Sequence, residues 1–274
     1  MSKLQLHYNG NFPFIKEEIR RIIQAAAEEK GLNDTLQGLM DRTSLGNAKV
    51  NRIKSWAVRT GLIKENRPSP EGEIVQRLDS YLESNVTDWL MHFYLSFGDK
   101  GLQKPPDNPA DWGGWSYFIY TFLPQHNRFN TEKLLYHSAS IFEAESKIVA
   151  ARIKFILRAY TEFQALASCK FLTLQEDEYF AGNAPLPNPY LIGYFLAKLW
   201  ERDFGDTTSV LTDDILQQKM GLAPILGIET ETLQQCLDKI ETLALIEQRR
   251  TVSPAQIIRR WHDPLTLLEK AYAD

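Results

Sequence analysis

The sequence predicts a mainly α-helical fold with small β-hairpin wings, arranged as tandem winged-helix (helix-turn-helix) modules around an aromatic helical core. Three observations predict it. From Thr35 to Ile63 a short amphipathic segment, a turn and a basic segment follow one another ahead of a charged stretch. The run Gly61-Leu-Ile-Lys-Glu-Asn-Arg-Pro-Ser-Pro70 is echoed by Ala244-Leu-Ile-Glu-Gln-Arg-Arg-Thr-Val-Ser-Pro254, a weak internal repeat. Between the two copies, aromatic residues cluster from Trp89 to Phe129.

The first module opens with a helix over 14–30, whose Ile15, Ile19, Ile22, Ile23 and Ala26 are apolar and which Gly31 ends. Leu36, Leu39 and Met40 then stand at i, i+3, i+4 and give a short helix one apolar face. Thr43, Ser44 and Gly46 supply a turn, and Asn47 has the side-chain oxygen to cap the next helix. In that helix Val50, Ile53 and Ala57 form one stripe with Trp56 at its edge, and the polar residues fall elsewhere. Gly61 is the C-cap. Leu62 and Ile63 begin a strand, with Lys64, Asn66 and Arg67 on the wing. After Pro68–Gly72 a helix resumes through Ile74, Val75, Leu78 and Leu82.

Thr87–Phe97 and Trp115–Phe122 read as two aromatic helices separated by a loop rich in Gly, Pro and Asp. Aromatics at this density build a core more often than a platform for stacking bases. Residues 131–182 read as a further helix-turn-helix, with a basic helix (Lys147, Arg152, Lys154, Arg158) and a hairpin from Lys170–Leu174 and Tyr179–Ala181. A Pro-rich connection at 184–189 leads to helices near 190–203 and 230–244 and a hairpin at 247–254. The expected division is therefore an N-terminal winged helix (1–84), an aromatic connector (85–130), a helix-turn-helix with hairpin (131–187) and a C-terminal winged-helix-like domain (188–274).

Charge locates the expected partner. The chain of 274 residues carries a net charge of −4. Between Ser44 and Pro68, however, Lys49, Arg52, Lys54, Arg59, Lys64 and Arg67 stand against Glu65 alone, a balance of +5. A basic island in an acidic protein points to a local anionic partner and not to a non-specific polyelectrolyte binder. The expected contact is duplex DNA. Asn47, Lys49 and Asn51 would probe base edges in the major groove beside Ser55, and Arg52, Lys54, Arg59, Lys64 and Arg67 would hold phosphates. The equivalent C-terminal segment, 229–244, has Glu229, Glu231, Asp238 and Glu241 against Lys239, a balance of −3, which suits phosphates poorly. Arg249, Arg250, Arg259 and Arg260 are that copy's remaining cations for a nucleic-acid backbone. Two cysteines, Cys169 and Cys236, make neither a metal site nor a disulfide framework. The opening Met1-Ser-Lys-Leu-Gln-Leu-His lacks the apolar stretch of a secretory signal, and no apolar run reaches the roughly 20 residues that span a bilayer. A cytoplasmic protein with no membrane partner is expected.

Leu45-Gly46-Asn47, Ile53, Trp56, Gly61-Leu62-Ile63, Pro70, Gly72, Tyr81-Leu-Glu83 and Thr87-Asp-Trp-Leu-Met-His92 together resemble the bacterial family catalogued as domain of unknown function 4007, and Phe129-Asn130 and Tyr160 fit its later landmarks. The resemblance covers about residues 35–130. It departs at Ile19, where a tryptophan is expected, and at Gly46-Asn47-Ala48-Lys49, which replaces a Gly-Lys-Asn step. What the resemblance implies is context. Members stand beside sulfur-handling enzymes similar to phosphoadenosine-phosphosulfate reductases, in sets for DNA phosphorothioation and phage defence, and DNA nicking is attributed to a related member. It thus implies a DNA-acting subunit with a sulfurtransferase or phosphoadenosine-phosphosulfate-reductase-like partner and an ATPase. Self-association as a homodimer is compatible with it.

Nicking would need a carboxylate-held Mg or Mn ion or an activated nucleophile; otherwise no cofactor is expected. Glu145-Ser146-Lys147, preceded by Asp111, matches the Glu-x-Lys of one nuclease superfamily, but Glu28-Glu29-Lys30 matches equally and both read as helix where the motif needs strands. The histidines are His7, His92, His126, His137 and His262. His92 lies at i+4 from Asp88, which would orient it and raise its pKa; the plainer reading is a histidine satisfied inside the aromatic core. Tyr120 and Tyr160 are phosphodiester nucleophiles in principle, but nothing singles them out among 11 tyrosines. No phosphate-binding glycine loop is present. Three functions follow in order: DNA-binding subunit, metal-dependent nickase, and protein-interaction scaffold.

Overall fold

The computed structural model describes residues 12–143, 145–251 and 253–273. The fold is mainly helical with three small antiparallel sheets. It opens with helices α1 (Lys16–Ala27), α2 (Leu36–Thr43) and α3 (Asn47–Arg59), and a hairpin of β1 (Ile63–Lys64) and β2 (Arg67–Pro68). The hairpin turns at Glu65 and Asn66, both at positive φ, as a two-residue turn matched to strand twist requires. Next come α4 (Pro70–Leu78) and α5 (Asn85–Leu95). A 3₁₀ turn (109–112) leads into α6 (Gly114–Tyr117), which continues as a π turn (118–122).

The middle of the chain runs β3 (Arg128–Phe129), α7 (Thr131–Ile141), α8 (Ser146–Thr161), β4 (Leu172–Gln175) and β5 (Glu178–Ala181). The last part runs α9 (Pro189–Phe204), β6 (Ser209–Leu211), α10 (Thr212–Leu216), α11 (Leu222–Leu226), α12 (Thr230–Thr242), β7 (Ile246–Arg249), β8 (Gln256–Arg259) and α13 (Pro264–Ala273). The two three-stranded sheets share one topology. An isolated strand, β3 or β6, pairs with the second strand of the later hairpin, giving orders β3-β5-β4 and β6-β8-β7. The helix before each hairpin is α3, α8 or α12.

The repeat read in the sequence has a backbone cause. At the end of α3, Gly61 (φ +76) donates to Val58 and Leu62 to Ala57; at the end of α12, Ala244 (φ +55) donates to Glu241 and Leu245 to Ile240. Both are left-handed caps in which the residue after the cap bonds five positions back. Each following Leu-Ile pair is buried, and each leucine carbonyl accepts from the returning chain, from Ser69 or Arg260.

The start of α3 differs from expectation. Gly46 is the N-cap, its carbonyl accepts from Lys49 and Val50, and Asn47 is the first helical residue with its side chain free of the cap. The reason lies upstream: Ser44 takes the left-handed conformation (φ 54), which ends α2 and shifts the helix start. Trp56 is not at the edge of the apolar stripe but at its centre, 1% exposed, edge-on to Phe14 at 5.3 Å and to Trp115 at 5.8 Å. The aromatic helices build core, and buried apolar side chains form one continuous cluster from Phe14 to Ala271. Both cysteines are buried, and the Cys169 thiol is pushed up to about 12 by burial. No helix among the described residues is long and apolar enough to cross a membrane.

Candidate nucleic-acid interface

Helix α3 divides by periodicity into a buried stripe (Val50, Ile53, Trp56, Ala57) and an outer face. Asn47, Asn51 and Arg52 are exposed on that face and Lys54 is half-buried; Lys64 is exposed on β1. None of these five has an intramolecular polar partner among the described residues. The helix contains no acid. No side chain caps its N-terminus, so its positive dipole end stays open to an anion.

Four other predicted contacts are otherwise placed. Lys49 is ion-paired to Glu18 of α1. Arg59 is ion-paired to Asp99 and lies over the Trp56 ring. The Arg67 guanidinium donates to the carbonyls of Glu28 and Glu29, so it fastens the β1–β2 hairpin to the end of α1 and does not extend outward. Ser55 is half-buried and makes an interaction within the protein. The cationic face is therefore smaller than +5 suggests, and Arg52 and Lys54 are its uncommitted helical charges. Beside the far end of α3 lies a crevice of 680 Å³, lined among others by Arg59, Lys64, Tyr94, Asp99, Lys198 and Glu71. Glu71 accepts from the Tyr94 and Tyr194 hydroxyls at 2.9 and 2.8 Å, and burial pushes both phenols well above their ordinary range. This mixed-charge crevice joins α4, α5 and α9; it is no phosphate groove.

In the C-terminal part three of the four predicted arginines are ion-paired locally and the fourth is held by a backbone carbonyl. Arg250 pairs with Asp238 and Glu241, Arg249 and Arg260 pair with Glu247, and Arg259 donates to the Asp206 carbonyl.

The candidate acid–base pair does not form. Asp88 is fully buried and accepts from Lys16 Nζ at 2.9 and 3.1 Å and from Ser168 Oγ; burial is the largest influence and pushes its carboxyl up. His92 turns elsewhere. Its Nε2 lies 2.8 Å from the Ile225 carbonyl, which only accepts, so Nε2 carries the proton. Nδ1 therefore accepts from the Tyr160 hydroxyl at 2.7 Å, and that oxygen accepts from Trp115 Nε1 at 3.0 Å. The chain Trp115–Tyr160–His92–Ile225 ties α6, α8, α5 and α11 together inside the core. Burial lowers the His92 pKa to about 4, opposite to the rise expected from Asp88. Tyr120 and Tyr160 are buried with raised pKa values, unsuited to attack on a phosphodiester. Glu145 is the exposed residue before α8, and its Glu-x-Lys run is helix, not strand. Asp111 is exposed in the 3₁₀ turn. His7 lies outside the described residues. Among the described residues no three His, Cys, Asp or Glu side chains converge to hold a metal ion.

His92 gives a pH prediction. The unfolded imidazole titrates near 6.5 and the folded one near 4, so between those values only the unfolded chain takes the proton. The stabilisation is complete above pH 6.5 and is lost as pH falls toward 4. Urea unfolding near pH 5 should show about 2 kcal/mol less stability from this residue than above pH 7. His92→Gln should have a flatter profile; parallel profiles for the two proteins would contradict the assignment.

No family model matches this chain, and no curated protein matches it. Two solved structures share its fold. One is described as the SspB crystal structure (TM-score 0.70, 13% identity), the other as the magnesium ion-bound SspB crystal structure (TM-score 0.70, 12% identity). Each alignment covers 97% of this chain and 86% of the other. The likeness is one of fold.

Proposed function

We propose that this chain is a winged-helix protein that binds duplex DNA through α3, as the DNA-contacting subunit of a bacterial phosphorothioate-modification or phage-defence set. The observation that carries the reading is the outer face of α3. Asn47, Asn51 and Lys54 (i, i+4, i+7) line one side of an acid-free helix directly ahead of a two-stranded hairpin, Arg52 lies further round its outer face, and none of the four has an intramolecular partner among the described residues. Asparagine presents a donor and an acceptor side by side to a base edge, while Arg52, Lys54 and Lys64 hold the phosphate backbone. The order of three helices and a hairpin, with the strand orders of the later sheets, supports tandem winged helices. The resemblance over residues 35–130 supplies the context, with a sulfurtransferase or phosphoadenosine-phosphosulfate-reductase-like enzyme and an ATPase as partners in the cytoplasm.

A metal-dependent nickase is the second reading, favoured by the magnesium ion in one structure of the same fold. The residues present do not fit such a site: Asp88 faces Lys16, both His92 nitrogens are engaged, and Glu145 stands alone before α8. Acidic α12 supports the scaffold reading for the C-terminal copy.

Salt-titrated binding to linear duplex, run beside incubation with supercoiled plasmid with and without Mg or Mn, separates the three. Salt-dependent binding without nicking supports the DNA-binding subunit. Metal-dependent nicking replaces it with the nickase. Absence of both leaves the scaffold.

A further inference from the structure

Helix α8 repeats the design of α3 in the middle of the chain. It precedes hairpin β4–β5 as α3 precedes β1–β2. Its inner face (Val149, Ile153, Ile156, Leu157, Tyr160) is buried. Lys147, Ala151 and Lys154, at i, i+4, i+7, are exposed along the other side. Within Ser146–Thr161 there are four basic residues, Lys147, Arg152, Lys154 and Arg158, and no acid. Arg158 is paired to Glu162, the charge of Lys154 also acts on that carboxylate, and Lys147 has no hydrogen bond or ion pair among the described residues. Ile148 stays 47% exposed between them. Glu143 and Glu145 precede the helix and Glu176 and Asp177 occupy the hairpin tip, so the cationic stripe is confined to the helix itself.

The first turn of α1 links α3 to the chain just past α8: Glu18 pairs with Lys49, and the Lys16 amide donates to the Gln164 carbonyl. Beneath, Trp56 of α3 meets Trp115 at 5.8 Å and Trp115 meets Tyr160 of α8 at 5.8 Å. The third helix of this kind, α12, is acidic, and its Asp238 and Glu241 pair with Arg250 of the following hairpin.

We infer that α8 is a second contact with the phosphate backbone of duplex DNA, made by Lys147 and Lys154. This rests on the proposed DNA-binding function and adds to it a footprint of two helices, with α12 outside it. Sequence readout is not assigned to α8, because its outer face offers lysines and no Asn or Gln.

The test is the dependence of affinity on salt for the full chain on a duplex of several helical turns. Each phosphate contact contributes about 0.9 to the slope of log K against log salt, so K147A/K154A should flatten it by about 1.8. The exposed Lys239→Ala in α12 should leave the slope unchanged, and K147R/K154R should keep it. A slope unchanged in K147A/K154A but flattened in R52A/K54A overturns the α8 contact and leaves α3 standing. Flattening in the α8 variant alone supports α8 and removes α3. Equal flattening by Lys239→Ala, or no binding by the unaltered chain, overturns the proposal.

Discussion

Alanine at both Arg52 and Lys54 should weaken binding to duplex DNA by roughly tens of fold near 0.1 M salt, with the salt slope about 1.8 shallower. The effect follows from what these side chains lack. Arg52 is exposed, Lys54 half-buried, and neither has an intramolecular partner among the described residues, so truncation would remove the proposed contact with DNA and little else. Surface changes of this kind move stability by about 0.5 kcal/mol or less. Lys49→Ala should cost less affinity, because Lys49 must first leave Glu18. Fluorescence anisotropy across a salt series reads all of this. A double variant with unaltered slope and affinity would remove α3 from the interface.

Trp56→Ala should lower the free energy of unfolding by about 3–5 kcal/mol. Few positions in this chain carry as much. The indole is edge-on to Phe14 and Trp115, its Nε1 donates to the Phe12 carbonyl at 3.2 Å, and the Arg59 guanidinium lies over its face. Removal opens a cavity where α1, α3 and α6 meet and leaves that carbonyl without its donor. A loss of this size is a large part of the total stability of an ordinary domain, about 5–15 kcal/mol. Val58→Ala, two residues along and 47% exposed, should change stability by about 0.5 kcal/mol or less. Equilibrium urea unfolding compares the two; a Trp56→Ala value close to that of Val58→Ala would contradict the packing described.

Helical periodicity made most of this architecture legible. The split of α3 follows from Val50, Ile53 and Ala57 alone, and the Leu-Ile repeat reflects two caps with the same hydrogen bonds. What the sequence hid depends on contacts far apart along the chain. Lys49 meets Glu18, and Arg67 reaches Glu28 and Glu29; a local charge count sees cations but not these partners. The helix start moved because Ser44 is left-handed, a backbone choice that an Asn at 47 did not disclose. Spacing paired Asp88 with His92, yet Lys16 and Tyr160 claim them from other helices. Strands β3 and β6 are two and three residues long, too short for alternation to show, and join hairpins that begin about 43 and 35 residues downstream. Helix α13 went unread, although Leu267, Leu268 and Ala271 form an apolar stripe that packs on α9.

Site-directed cross-linking reads whether the outer face of α3 lies on DNA, as proposed. Both native cysteines are buried, so a thiol-directed photoreactive group attaches selectively to a new surface cysteine. Asn51→Cys places it on the exposed face of α3, and Gln235→Cys places it on the exposed side of α12. Cross-links to duplex DNA are expected from position 51 and none from position 235. Cross-links from 235 with none from 51 would contradict the proposal.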